Sequence, residues 1–249
     1  MTALLAAEGL TVARAGRTVL HETRLNAHRG EFIGVIGPNG AGKSTLLRAL
    51  AGLERPAQRV VLLDGAPISA LSPLALARSR AYLPQQREIA WSMTVTAVAA
   101  LGRFAYGSPS RLGPADRAAV ERALVATGLA DLCERNAHEL SGGETARLHL
   151  ARALAAETPI LLADEPTAAL DPRHQLEIME ILKAKSAVGG LIVAALHDLD
   201  LARRYCTRLL VMDAGRILAD AEPEEALDAA RLDGVFGVVA EARGYRLSP

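Results

Sequence analysis

The sequence predicts an α/β fold in which a core of alternating strands and helices is interrupted by a helical section. Three observations predict it. The first is Gly37-Pro38-Asn39-Gly40-Ala41-Gly42-Lys43-Ser44-Thr45, a glycine-rich run with phosphate-loop spacing, which carries meaning only between a strand and a helix. The second is a change of character from about Met93 to Ala156, where alanine, leucine and arginine dominate. The third is the return, after that section, of short apolar runs alternating with helical periodicity, the pattern of parallel strands and crossover helices.

The elements follow in chain order. Leu10 to Leu20 reads as a strand, and Glu31 to Ile36 as a short buried one leading into the loop. Behind the loop, Leu46, Leu47, Leu50 and Ala51 recur at helical spacing until Gly52 supplies a stop. Val60 to Leu63 is a strand closed by an Asp64-Gly65 turn, Pro73 to Arg78 a helix, and Ala81 to Leu83 another strand. In the helical section, Pro114 begins a helix to about Ala126 with Val120, Leu124 and Val125 on one face. Leu140-Ser141-Gly142-Gly143-Glu144 precedes a further helix, with Ala146, Leu150, Ala153 and Leu154 on one face. Ile160 to Ala163 and Leu191 to Leu196 are strands flanking a helix from His174 to Ala187. Arg208 to Met212 and Arg216 to Ala219 form a hairpin about Asp213-Ala214-Gly215. The expected division is an α/β core of residues 1–90 and 157–249 around a helical subdomain of residues 91–156.

Composition narrows the class. The chain has 249 residues, half of them hydrophobic, with 28 basic and 28 acidic side chains. A zero net charge argues against a nucleic-acid partner. Cys133 and Cys206 are far apart and lack metal-ligand spacing, which fits a reducing cytoplasm. The N-terminus has neither the basic start nor the apolar length of a signal peptide, and no stretch approaches the roughly 20 apolar residues of a membrane span. Any membrane role would come through a partner.

The chemistry follows from residue types. The glycines let consecutive backbone N–H groups point inward on phosphate oxygens, and the helix N-terminus behind them favours negative charge. Lys43 can reach the β- and γ-phosphates of a nucleotide, and the Ser44 hydroxyl can coordinate Mg²⁺. Asp164-Glu165 ends an apolar strand, where carboxylates fall at the carboxyl edge of a parallel sheet. Asp164 suits Mg²⁺ through water, and Glu165 suits a general base for the attacking water. Leu140-Ser141-Gly142-Gly143-Glu144 places a second anion-binding turn at a helix N-terminus, suited to another molecule's nucleotide.

These motifs together resemble the nucleotide-binding subunit of an ATP-binding-cassette (ABC) transporter, nearly end to end. Phosphate loop, Tyr82-Leu83-Pro84-Gln85, the signature 140–144, Ile160 to Glu165, Ala169-Leu170-Asp171 and a lone His197 occur in the family's order. The resemblance implies a P-loop NTPase (RecA-like) core with an N-terminal antiparallel β portion and an inserted α-helical subdomain. It implies that Gln85 touches Mg²⁺ and the water and that His197 contacts the γ-phosphate. It further implies that Ser141 and Gly143, beside Gly142, bind ATP held by the other subunit of a head-to-tail homodimer, and that Asp171 crosses that interface. ATP and Mg²⁺ are the implied ligands. The family's adenine-stacking aromatic is replaced here by Arg14, which can stack on a base or point to solvent.

The implied partner is a polytopic permease touching the segment Gln85 to Tyr106, on the cytoplasmic face of the membrane, with a periplasmic or extracellular binding protein beyond it. Tyr82, Trp91, Phe104 and Tyr106 crowd into one stretch, either as recognition surface or as core of the helical section. Tyr82 to Gln85, Leu196 to Ala202 and Val235-Phe236-Gly237-Val238 are similar to importers of iron-siderophore, haem and cobalamin type. The alternatives are a soluble ATPase of iron–sulfur cluster assembly, or an ABC importer or exporter for another cargo. A chromosome-maintenance ATPase is excluded, because no heptads separate Lys43 from Ser141.

Overall fold

A computed structural model describes residues 2–54, 56, 58–85, 92–107, 111–241 and 244–247. The chain opens with β1 (Leu5–Arg14) and β2 (Arg17–Ala27), an antiparallel pair. The expected single strand from Leu10 to Leu20 is therefore two. Ala15 and Gly16 adopt φ of 47° and 76°, and two consecutive left-handed residues fold the chain back in a hairpin. The fully buried β3 (Phe32–Ile36) runs into the phosphate loop and α1 (Lys43–Leu50). Then β4 (Gln58–Leu63) turns through Asp64 and Gly65 into β5 (Ala66–Pro67), followed by α2 (Pro73–Ser79) and β6 (Arg80–Leu83).

The helical section contains α3 (Val95–Ala100), α4 (Pro114–Ala126) and α5 (Gly142–Ala155). On α4, Val120 and Leu124 are buried as expected, but Val125 is 61% exposed. Five residues of helix turn about 140°, which carries position 125 off the face that Val120 shares with Leu124. Beyond lie β7 (Ile160–Asp164), α6 (Pro172–Ala187), β8 (Leu191–Ala195), α7 (Leu199–Tyr205), β9 (Arg208–Asp213) and β10 (Arg216–Ala221). The chain finishes with α8 (Pro223–Ala226), α9 (Ala229–Phe236) and a hairpin of β11 (Val238–Glu241) and β12 (Gly244–Leu247).

The central sheet has the order β10-β9-β3-β8-β7-β6, parallel except for β10 at one edge. Both faces are covered, which is why its strands are continuous apolar runs without alternation. Ile33, Val35, Leu162 and Val193 point to one side, against α1 and the antiparallel sheet of order β2-β1-β4-β5. Phe32, Ile36, Leu161 and Ile192 point to the other, against α5, α6 and α7. A third cluster lies within the helical section, built from Val95, Val98, Val120, Leu124 and Leu148.

Helix α5 belongs to two clusters. Ala146, Leu150 and Ala153 pack toward the sheet, whereas Leu148, Ala151 and Ala155 pack toward α3 and α4. The helix that Ser141 caps is thus clamped along both sides.

Candidate functional site

The phosphate loop sits where β3 leaves the sheet between β9 and β8, at their carboxyl ends, the place where open α/β sheets bind ligands. Two glycines are required by the backbone itself. Gly37 has φ 151°, and a Cβ there would meet the Met212 carbonyl oxygen at 2.1 Å. Gly42, at φ 99°, is the left-handed residue from which α1 starts, and a Cβ there would lie 3.2 Å from the Val19 carbonyl oxygen. Asn39, Gly40, Ala41, Gly42, Lys43, Ser44, Thr45 and Glu165 line a cavity of about 230 Å³ together with Val19. Val19 comes from β2. The sequence offered no signal for it, because a single valine in a strand of alternating residues is unremarked until the hairpin delivers it to the loop.

Lys43 is 5% exposed, and its ammonium donates to the carbonyl oxygens of Gly37 at 2.7 Å and Pro38 at 3.1 Å. Desolvation lowers its pKa, opposed by the nearby negative charges of Glu165 and Asp164. The Ser44 hydroxyl donates to Asp164 Oδ1 at 2.9 Å, and the Tyr82 hydroxyl to Oδ2 at 3.1 Å. Burial raises the Asp164 pKa, and these two hydroxyls pull it back down. The Tyr82 hydroxyl itself is driven up by burial and by the neighbouring Asp164 charge. Tyr82 was expected among the aromatics of a partner surface or helical core; it is instead a hydroxyl donor inside the phosphate-binding site. Its place on β6, hydrogen-bonded alongside β7, puts it beside Asp164.

Glu165 follows β7 with φ 49°, a left-handed turn that swings its carboxylate out of the strand direction. The Gln85 amide Nε2 donates to Glu165 Oε2 at 2.5 Å, and the His197 ring nitrogen Nε2 bonds Oε1 at 2.5 Å. Gln85 lies two residues past β6, Glu165 directly follows β7 and His197 follows β8, so three adjacent parallel strands converge on one carboxylate.

The remaining site residues lie elsewhere on the chain. Ser141 caps α5 by accepting from the Glu144 N–H at 3.3 Å, while Glu144 accepts from the Ser141 N–H at 2.8 Å. Asp171 caps α6, accepting from the His174 N–H at 3.0 Å. Arg14 forms a two-point ion pair with Glu54, at 3.2 and 2.6 Å. Of the other aromatics, the Tyr106 ring has the Arg103 and Arg78 guanidiniums over it at 3.8 and 4.9 Å, while Phe104 is 73% exposed. Trp91 lies outside the described residues. A larger cleft of about 810 Å³ opens between α4, α5, α6 and α7. In its lining Arg147 pairs with Glu177 at 2.7 Å, and the Tyr205 hydroxyl donates to Glu180 at 2.8 Å.

Backbone amides curled by glycine at the carboxyl edge of a parallel sheet, closed by a lysine and a serine–aspartate pair, define a P-loop nucleotide-binding protein. Comparison with known proteins narrows the class. The ABC transporter family matches residues 20–168. A cobalamin import ATP-binding protein of Halobacterium salinarum is 42% identical over 92% of this chain, which spans only 57% of that relative's length. A hemin import ATP-binding protein of Pseudomonas putida is 41% identical over 94% of this chain and 93% of its own. Among solved structures, a dimeric ATP-binding cassette bound to ADP and Pi superposes with a TM-score of 0.77 at 27% identity, covering 88% of this chain and 99% of its own. The chain belongs to the ABC transporter family, as an ATP-binding domain.

Proposed function

We propose that this chain hydrolyses ATP as the energy-supplying subunit of a membrane importer, and that the imported cargo is a metal chelate of haem or cobalamin type. The observation that carries the enzymatic part is the placement of Glu165. Its carboxylate lines the phosphate-loop cavity and is held on both oxygens, by Gln85 and by His197. A carboxylate so oriented takes a proton from a water as its oxygen bonds the γ-phosphorus and the bond to the β-phosphate oxygen breaks, releasing ADP and phosphate. Lys43 exchanges its two carbonyl partners for phosphate oxygens when nucleotide enters. His197 and Gln85 keep Glu165 aimed.

The residues present fit Mg²⁺. The candidate donors are oxygens, from the Ser44 hydroxyl, the Asp164 carboxylate and the Gln85 amide. Among the described residues no group of three His, Cys, Asp or Glu could hold a metal ion. That sparse oxygen set suits a cation that takes a few protein oxygens and completes its shell with phosphate and water. When bound, Mg²⁺ neutralises charge on the phosphate oxygens.

The second half of the proposal concerns partners. Ser141, Gly142, Gly143 and Asp171 would face the nucleotide of a second copy in a head-to-tail pair. The relatives' names support import of a tetrapyrrole-type chelate. Among the described residues no helix is long and apolar enough to cross a membrane. By analogy with the importers the relatives are named for, the chain would sit at the cytoplasmic face through a permease, in turn served by an external binding protein. The exposed Phe104, within the Gln85–Tyr106 segment, is the apolar anchor offered to that permease.

The test is to reconstitute the chain in vesicles with a polytopic permease that co-purifies with it and measure ATP-dependent uptake of hemin and of cobalamin. Uptake of either is the expected result. Stable association with a soluble scaffold, and with no membrane protein, would replace this reading with cluster assembly.

A further inference from the structure

The turn at Ser141–Gly143 opens α5, and Asp171 opens α6, from separate stretches of chain. They meet through a residue that no motif singled out, His174. Its ring lies against Gly143 so closely that a Cβ there would be 2.8–2.9 Å from three ring carbons. The same construction at Gly142, one residue earlier, meets nothing within 4 Å. Gly143 is helical and is not among the residues with positive φ, so its backbone does not demand glycine, and alanine would be the better helix former. The space, and not the dihedral angle, is what the ring uses.

The ring is fixed from its other side as well. His174 Nδ1 lies 2.7 Å from Asp171 Oδ2, while the His174 backbone N–H donates to Oδ1 at 3.0 Å. These two bonds hold the Asp171 carboxyl below the usual carboxylate range, the backbone N–H first and the ring second. Because both carboxylate oxygens are engaged by one residue, the ring cannot turn away from Gly143 without giving up Asp171. A short rigid strut thus joins the signature turn to the Asp171 turn.

We propose that His174 is a positioning residue that sets the distance and angle between Ser141–Gly143 and Asp171, so that both meet a partner subunit's nucleotide as one surface. This rests on the two-chain site proposed above. His174 acts through the two turns it holds, by its ring against Gly143 and its bonds to Asp171.

The experiment uses the full chain and three measurements: melting temperature, ATP affinity of the dilute monomer, and the protein concentration giving half-maximal specific ATPase activity. His174→Ala is expected to leave the first two in place and to raise the third about tenfold, within the range for directly coupled groups. His174→Asn retains a nitrogen donor at the δ position without the ring, and should recover part of that shift. Gly143→Ala should raise the half-maximal concentration less in the His174→Ala background than in the wild type, because the ring it would strike is gone. Equal effects of Gly143→Ala in both backgrounds would overturn the strut. So would a melting temperature that falls in His174→Ala and His174→Asn while the half-maximal concentration stays put, which is the mark of a purely structural contact. A wild type whose specific activity is flat down to monomer concentrations fails differently: it removes the two-chain site itself, and the strut with it.

Discussion

The phosphate loop and the turn at Ser141–Gly143 are both glycine-bearing turns at helix N-termini, and they are furnished in opposite ways. At the phosphate loop the charges are buried and answered from within the chain. Lys43 is held by two loop carbonyls, and Asp164, 4% exposed, accepts from two hydroxyls. At the signature turn, Ser141 is exposed and does no more than close its own capping box. Desolvated charge is costly unless it is paired, so the first turn is a pocket complete in itself. The second offers a cap and the open Gly142 beside it, which is what the proposed two-chain site would leave for a partner to complete. The difference teaches that the same local device can be a site or half of one, depending on what the fold brings opposite it.

Four substitutions sharpen or break that contrast, in order of expected effect. Lys43→Ala removes the side-chain cation of the complete pocket, and turnover should be abolished with ATP binding weakened. Calorimetry showing wild-type affinity would break the assignment. Glu165→Gln keeps the shape and the hydrogen-bonding capacity of the side chain but not its basicity. Hydrolysis should fall by about 10²–10⁴ while ATP still binds, and single-turnover phosphate release measures it; near-normal turnover would mean another group activates the water.

Ser141→Arg acts on the open turn. It should leave the monomer's ATP affinity unchanged yet block pairing, lowering specific activity at every protein concentration. Sedimentation with ATP present checks the pairing, and activity that survives in a demonstrable monomer would show that the second turn needs no partner.

Tyr82→Phe has the smallest effect. It orphans one acceptor of a buried carboxylate, which costs about 1–3 kcal/mol. The Tyr82 hydroxyl favours ionised Asp164, so the loss should be full where Asp164 is ionised. It should shrink as pH falls through that titration, which burial places above the ordinary aspartate range. Denaturant unfolding across a pH series checks it; a loss that is constant with pH would mean the hydroxyl does not act on the Asp164 charge.

Much of this was legible in the residues alone. The phosphate loop, the acidic end of β7 and the cap at Ser141 are local devices, in which spacing and residue type impose the geometry. The apolar runs of β3, β7 and β8 declared a sheet covered on both faces, because strands buried twice need no alternation. Tertiary structure decided what lies between distant segments. It alone sent Tyr82 to Asp164 and not to a partner surface, and brought Val19 to the loop by a hairpin that had been read as one strand. It tied Arg14 to Glu54, and turned Val125 away from the face that Val120 and Leu124 bury. It alone set the His174 ring in the space that Gly143 leaves. The physical reason is range: a turn or a cap is determined by atoms within a few residues, whereas a hydroxyl on one strand meets a carboxylate on the next only after the register between them is set.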